Sequence, residues 1–441
     1  MLLEFRMKNY KSFKDETVFS LAPAPKQKGL DYSIFHTTIG KKKYKSLCSA
    51  VIYGPNASGK TNLIGAMDSF KTIVLRGNIR NDEDNSSPNT AASALELIPN
   101  NTIDNPEPVM FAIKFIVFGV MVDYSISLDV GSFLDVDYER KIVSERLIVN
   151  DTVVFTRSEN DLSIQDLDKL KSWLVNEFEQ NKGSIISIAT ANLNSEELFL
   201  MNGFKTMFSA KLVTLITKWL SDQFMVIYRA DAIHLIRKFS DPKKNSIYVE
   251  KVLNEAAKIF GINSNALAYI IDGDNSEAKL CSIFDRGKKS EAIPAEVYES
   301  YGTIRFVNMF PLVVNALMKG GTLVIDEFDA SIHPMALMNI VSIFHNDEVN
   351  IRNAQLIFNT HNPIFLNANL FRRDEIRFVE RDERTHYSSS YALSDFGTTG
   401  TNAVRKKGDY MHNYFIDRYG AIKDIDFLPI FEKLLEDESE E

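Results

Sequence analysis

The chain has 441 residues, of which 45% are hydrophobic and 25% charged, and its formal net charge is −9. That is the balance of a globular chain; no apolar run reaches the ~18–20 residues of a membrane helix, and the acidic balance excludes a generally basic nucleic-acid coat. Two cysteines, Cys48 and Cys281, are too few for a disulfide framework or a zinc site, so a reducing cytoplasmic setting is expected.

The N-terminal stretch LLEFRMKNY alternates apolar and polar residues, as a half-buried strand does. It lacks an apolar core of signal-peptide length. LCSAVIYG reads as a short buried strand ending in glycine, and KTNLIGAMDSFKTIVL sets Leu63, Ile64, Met67, Phe70, Ile73 and Val74 at helical spacing. Residues 81–108 are polar and proline-bearing, a loop signal. VMFAIKFIVFGVMVDYSISLDV predicts a hairpin turning at Phe118-Gly119, and YERKIVSERLIVND with TVVFTRS carries the β character to about 157. From about 160 to 275 the runs DLDKLKSWLVNEFEQ, SAKLVTLITKWLSDQF and SIYVEKVLNEAAKIFG have helical periodicity, which predicts a mostly helical insert. Buried-strand runs then return in GTLVIDE (321–327) and AQLIFNTH (354–361), with a helix between them, and the chain closes on the acidic EDESEE. The expected fold is α/β, a twisted mixed sheet with an antiparallel β lobe. The expected division is 1–158, a helical insert at 159–280, and 281–441.

Between strand and helix, Gly54, Pro55, Asn56, Ala57, Ser58, Gly59, Lys60 and Thr61, followed by Asn62, fit G-x-x-x-x-G-K-[ST]. The glycines allow a tight turn that aims backbone N–H groups at phosphate oxygens, and the helix start adds its positive dipole end. Lys60 is expected to reach the β and γ phosphates and Thr61 to bind magnesium; an ordinary polar turn is the alternative. Asp326 and Glu327 end a buried strand, where open α/β sheets bind ligands. In a nucleotide site Asp326 holds the magnesium shell and Glu327 orients or deprotonates the attacking water. His361 also ends a strand and is either structural or a contact to the γ-phosphate. Ser300 and Gly302 open an apolar helix, where Ser300 is either a plain N-cap or part of an anion site completed across two molecules. The basic clusters KKKYK (41–45), RGKK (286–289), RR (372–373) and RKK (405–407) read singly as solvated surface.

As a set these motifs resemble the ABC-type ATPases of the SMC, RecF and OLD branch. GPNASGKTN is similar to their Walker A, ESYGTIR to their signature motif, LVIDEFDASIHP to their Walker B and D-loop, and QLIFNTHNP to their switch-histidine strand. DEIRFVERD and YFIDRYGAI further resemble stand-alone RloA-like, abortive-infection ATP-binding proteins. About half the chain, 1–80 and 290–425, carries the likeness.

The resemblance implies ATP and Mg2+ as ligands, Glu327 as catalytic base and His361 as γ-phosphate sensor. It implies that Ser300 and Gly302 act on a partner's nucleotide, and that Lys11, in NYKSF, stands where relatives place an arginine near the phosphates. It also implies ATP-driven pairing of two heads, or a larger homo-oligomer, in a switch that controls a separately encoded effector in phage defence. A RecF- or SMC-like DNA-binding ATPase of repair or maintenance is the alternative. Residues 81–108 hold no glutamine for a Q-loop, and the insert has neither sustained heptads nor a Cys-x-x-Cys hook. No room is expected for the further Toprim domain of OLD nucleases.

Overall fold

The computed structural model describes the chain except residues 81–94, 104–105, 136–137, 165–166, 168–171, 175–177, 229–245, 249–250, 272–277, 398–403 and 405–407, and single positions 26, 28, 134, 288, 424 and 441. The RKK cluster and most of the helix expected over DLDKLKSWLVNEFEQ therefore lie outside the described residues.

Two sheets organise the molecule. The first has seven antiparallel strands: β1 (Leu2–Lys8), β2 (Thr17–Ser20), β6 (Val109–Val117), β7 (Val120–Asp129), β8 (Lys141–Val149), β9 (Thr152–Ser158) and β10 (Asp161–Ile164), in the order β10-β9-β8-β7-β6-β1-β2. β6 and β7 turn through Phe118 and Gly119 at φ 45° and 74°, both left-handed as a two-residue hairpin requires. A separate hairpin, β3 (Ile34–Ile39) with β4 (Lys42–Leu47), carries the KKKYK lysines. The second main sheet runs β11-β16-β17-β5-β18-β19, from Phe224–Ile227, Thr322–Ile325, Gln355–Asn359, Ser49–Tyr53, Ile376–Arg381 and Ser388–Ala392. It is parallel through β18, and only β19 pairs antiparallel. Covered on both faces, its central strands are continuous apolar runs.

Alternation along β5 shows how the layers stack. Ala50 and Ile52 face one core with α1 (Lys60–Arg76) and the antiparallel sheet, while Val51 and Tyr53 face another. The second core holds α5 (Tyr301–Lys319) and α6 (Pro334–Phe344). Helix α1 is thus sandwiched between the two sheets, its Leu63, Met67 and Phe70 fully buried.

The segment expected to be mostly helical is mixed. It holds α2 (Phe178–Ala191), α3 (Ala210–Asp222) and α4 (Lys251–Phe260). It also supplies β11 at the edge of the parallel sheet, and SIY at 246–248 is a strand (β12), not the start of a helix. β12 joins β13 (Ala266–Ile271), β14 (Ala278–Arg286) and β15 (Lys289–Pro294) in a four-stranded sheet, so residue 281 falls inside a strand. A four-residue apolar strand such as FMVI is too short for periodicity to separate it from the helix before it. Among the described residues no helix is long and apolar enough to cross a membrane.

Candidate active site

Parallel strands bring their carboxyl ends to one edge, and the expected motifs gather there. β5 runs into Gly54, β16 into Asp326 and Glu327, and β17 into Thr360 and His361. β17 lies between β16 and β5, yet the loops close across it: Thr61 Oγ1, in the first turn of α1, donates to Asp326 Oδ1 at 3.1 Å.

The loop itself is tightly enclosed. Gly54 and Gly59 have φ of 158° and 111°. Both are backbone conformations that residues with a side chain rarely adopt, and at Gly54 a Cβ would also collide with the Val379 carbonyl oxygen on β18. Ser388 Oγ donates to the Ser58 carbonyl at 2.6 Å, and Asn62 Nδ2 donates to Ser12 Oγ at 2.8 Å. Asn56 and Ala57 form the exposed crest, Pro55 is half-buried beside them, and Ser58 is buried.

Lys60 is 6% exposed, and its ammonium donates to the carbonyls of Gly54 (2.7 Å) and Pro55 (2.9 Å). Burial pulls its pKa down to about 8, against the opposing pull of Asp326, Glu327 and Asp329. The start of α1 has no side-chain cap, so its first N–H groups are free for an anion. Ser58 Oγ is buried without a hydrogen-bond partner, an orphan that a phosphate oxygen would satisfy. Thr61 Oγ1 and the buried Asp326 carboxylate offer hard oxygens side by side, a donor set that fits Mg2+. The residues present therefore fit a magnesium–nucleotide pair.

Asn359 organises the acidic corner. Its Nδ2 donates to Asp326 Oδ1 at 2.5 Å, and its Oδ1 accepts from the Glu327 backbone N–H at 2.5 Å. Glu327 is exposed and sits at φ 50°, a costly conformation for a residue with a Cβ, while Arg305 Nη2 donates to its carbonyl at 2.6 Å. His361 is held below the ordinary imidazole value, first by desolvation and next by the Lys60 ammonium, with Asp329 and Asp326 pulling the other way.

Ser300 caps α5, its Oγ accepting from the Thr303 N–H at 3.1 Å. Ser300 and Tyr301 are exposed, whereas Gly302 packs so closely on the Ser331 carbonyl that no Cβ would fit. The Lys11 ammonium pairs with Glu96 Oε2 at 2.6 Å and donates to the Tyr228 hydroxyl at 3.1 Å. Burial lowers its pKa, but Tyr10, Glu96 and Tyr228 together raise it above the usual lysine range. Its neighbours Ser12 and Phe13 lie against Gly59 of the phosphate loop, and Ser12 Oγ accepts from Asn62. Sequence reasoning missed Ser12, Ser388, Asn359 and Arg305 as parts of the site; Ser12, Arg305 and Asn359 lie inside the motifs NYKSF, ESYGTIR and QLIFNTHNP, whereas Ser388 carried no positional signal.

The family described as "AAA domain, putative AbiEii toxin, Type IV TA system" matches residues 49–367. Among solved structures, the SMC head domain from Thermotoga maritima is similar at 13% identity and a TM-score of 0.36, over 89% of this chain and 98% of that one. An SMC head bound to the C-winged helix domain of ScpA is similar at 12% identity and a TM-score of 0.38, again over 89% and 98%. No curated protein matches the sequence.

Proposed function

Because the chain belongs to this AAA-domain family, we propose that it binds and hydrolyses ATP as a switch of the ABC-type head class. The observation that carries the reading is the 3.1 Å contact of Thr61 with Asp326, from loops 265 residues apart in sequence. Lys60 and the uncapped start of α1 hold the phosphates. Thr61 and Asp326 hold the magnesium ion, which when bound neutralises charge on the phosphate oxygens. Glu327, exposed beside them, accepts a proton from water as the water oxygen bonds to the γ-phosphorus. The bond from that phosphorus to the β–γ bridging oxygen breaks, giving ADP and phosphate. Asn359 fixes the two acidic residues relative to one another.

Ser300 and Gly302 act on a second molecule's nucleotide, a role that the exposure of Ser300 and Tyr301 at the start of α5 allows. ATP then favours closed pairs, and ADP releases them. The regulatory role we assign is control of a separately encoded effector in phage defence, in the cytoplasm; the toxin–antitoxin wording of the family description and the RloA-like submotifs support it. Phosphate release from Mg-ATP tests the enzyme. The wild type should turn over, and Glu327→Gln should lose at least about a hundredfold in turnover while retaining ATP binding. Equal turnover in both would remove Glu327 from its role.

A second reading has one observation in its favour. Lys41, Lys42, Lys43 and Lys45 are all exposed on the β3–β4 hairpin, a local basic surface on an acidic protein. Duplex binding that weakens steeply with salt and is lost on reversing these charges would support a DNA-binding ATPase.

A further inference from the structure

The parallel sheet has a second polar end. Cys48 immediately precedes β5, Glu375 immediately precedes β18, and His345 is the C-cap of α6. All three lie at the edge opposite the phosphate loop, roughly 20 Å from Gly54 at about 3.3 Å of rise per strand residue. All three are buried. Cys48 Sγ, His345 Nε2 and a Glu375 carboxylate oxygen lie within 4.8 Å of one another. The Nε2–Oε1 separation is 3.3 Å and the Sγ–Oε1 separation 3.8 Å. Tetrahedral zinc, with Zn–S of about 2.3 Å and Zn–N and Zn–O of about 2.0–2.1 Å, sets those edges at about 3.3 and 3.6 Å.

We propose that Cys48, His345 and Glu375 form a structural zinc site. Ser49 Oγ, 2.9 Å from His345 Nε2 and 2.7 Å from Glu375 Oε1, hydrogen-bonds both beside it and is too close to either for the about 3.3 Å edge of a ligand. One thiolate and one carboxylate balance a divalent ion with a neutral imidazole, which suits a site without water. Glu375 Oε2 accepts from the Arg372 backbone N–H at 2.8 Å, which turns Oε1 toward Cys48, Ser49 and His345. The Arg372 guanidinium is itself taken up by Asp374 and the Gly29 carbonyl. The His345 ring packs against Tyr32 and Phe371. Ser33 Oγ is fully buried beside the thiol and has no other hydrogen-bond partner. Such an ion would pin the first strand of the parallel sheet to segments some 300 residues later in the chain.

Elemental analysis of the full chain, purified without chelator, tests this. About one zinc per chain is expected. After exchange into Co2+, a thiolate-to-cobalt charge-transfer band should be present. It should vanish in Cys48→Ser and persist in Cys281→Ser, the only other cysteine. Should Cys48→Ser fail to fold, the wild-type cobalt spectrum and Cys281→Ser decide alone. A folded wild type that takes up neither zinc nor thiolate-bound cobalt would overturn the proposal and leave a hydrogen-bonded polar cluster. A band that follows Cys281 would overturn it as well.

Discussion

Lys60 is a cation in a poorly solvated place. Its pKa of about 8, against an ordinary 10.5, means that protonation costs the folded protein about 3 kcal/mol more than the unfolded chain. The sign follows from linkage. Between the two values the unfolded chain binds more protons, so this group's contribution to stability rises with pH through that window, and its full cost stands below it. A phosphate cluster against the ammonium restores the charged form. Binding of Mg-ATP at about pH 8.5 should therefore take up a proton, and affinity should fall as pH climbs past about 8. Calorimetry in buffers of different ionisation enthalpy reads this directly; Lys60→Arg should abolish the uptake, and a wild type without it would contradict the assignment. Glu327 makes the complementary case. Its left-handed backbone costs about 1–2 kcal/mol, part of which glycine would recover despite its own entropic penalty. Glu327→Gly should unfold at slightly higher denaturant, by about 0.5–1 kcal/mol, while losing turnover. A destabilised Glu327→Gly would show that the carboxylate serves the fold.

The elements around the site were legible in proportion to how local their signals are. The phosphate loop, α1, the Phe118-Gly119 hairpin and the strands ending at Ile325 and Asn359 each carry their pattern within a dozen residues. Contacts between elements left no such trace: nothing in the spacing links Ser388 to Ser58, Arg305 to Glu327, or Lys11 to Glu96 and Tyr228. The buried meeting of Cys48, His345 and Glu375 is the extreme case, because a cysteine count cannot register ligands drawn from three residue types on three elements. The short strands β11 and β12 were hidden by the helical periodicity beside them. One element-level consequence is testable. Gly54 lies against the backbone of β18, which is paired on both sides, so neither strand can move aside cheaply. Gly54→Ala should cost about 2–4 kcal/mol and abolish nucleotide binding, read by chemical denaturation and a fluorescent ATP analogue. An unchanged midpoint would mean the loop is looser than the packing implies.

At the scale of the molecule, β5 from the N-terminal region lies between β17 and β18 from the C-terminal region, so the two ends of the chain share one sheet. That sharing places Lys60, Asp326 and His361 at one edge. Ser300 and Tyr301 are exposed on the same chain, where the proposed pairing would set them against a second head's nucleotide. We propose that ATP closes two such heads. The solution mass of Glu327→Gln, measured by light scattering with and without Mg-ATP, tests this: it should double with ATP and fall back when Ser300 is replaced by a bulky residue. A mass that stays at the monomer value in saturating ATP would contradict it and leave Ser300 as a helix cap alone.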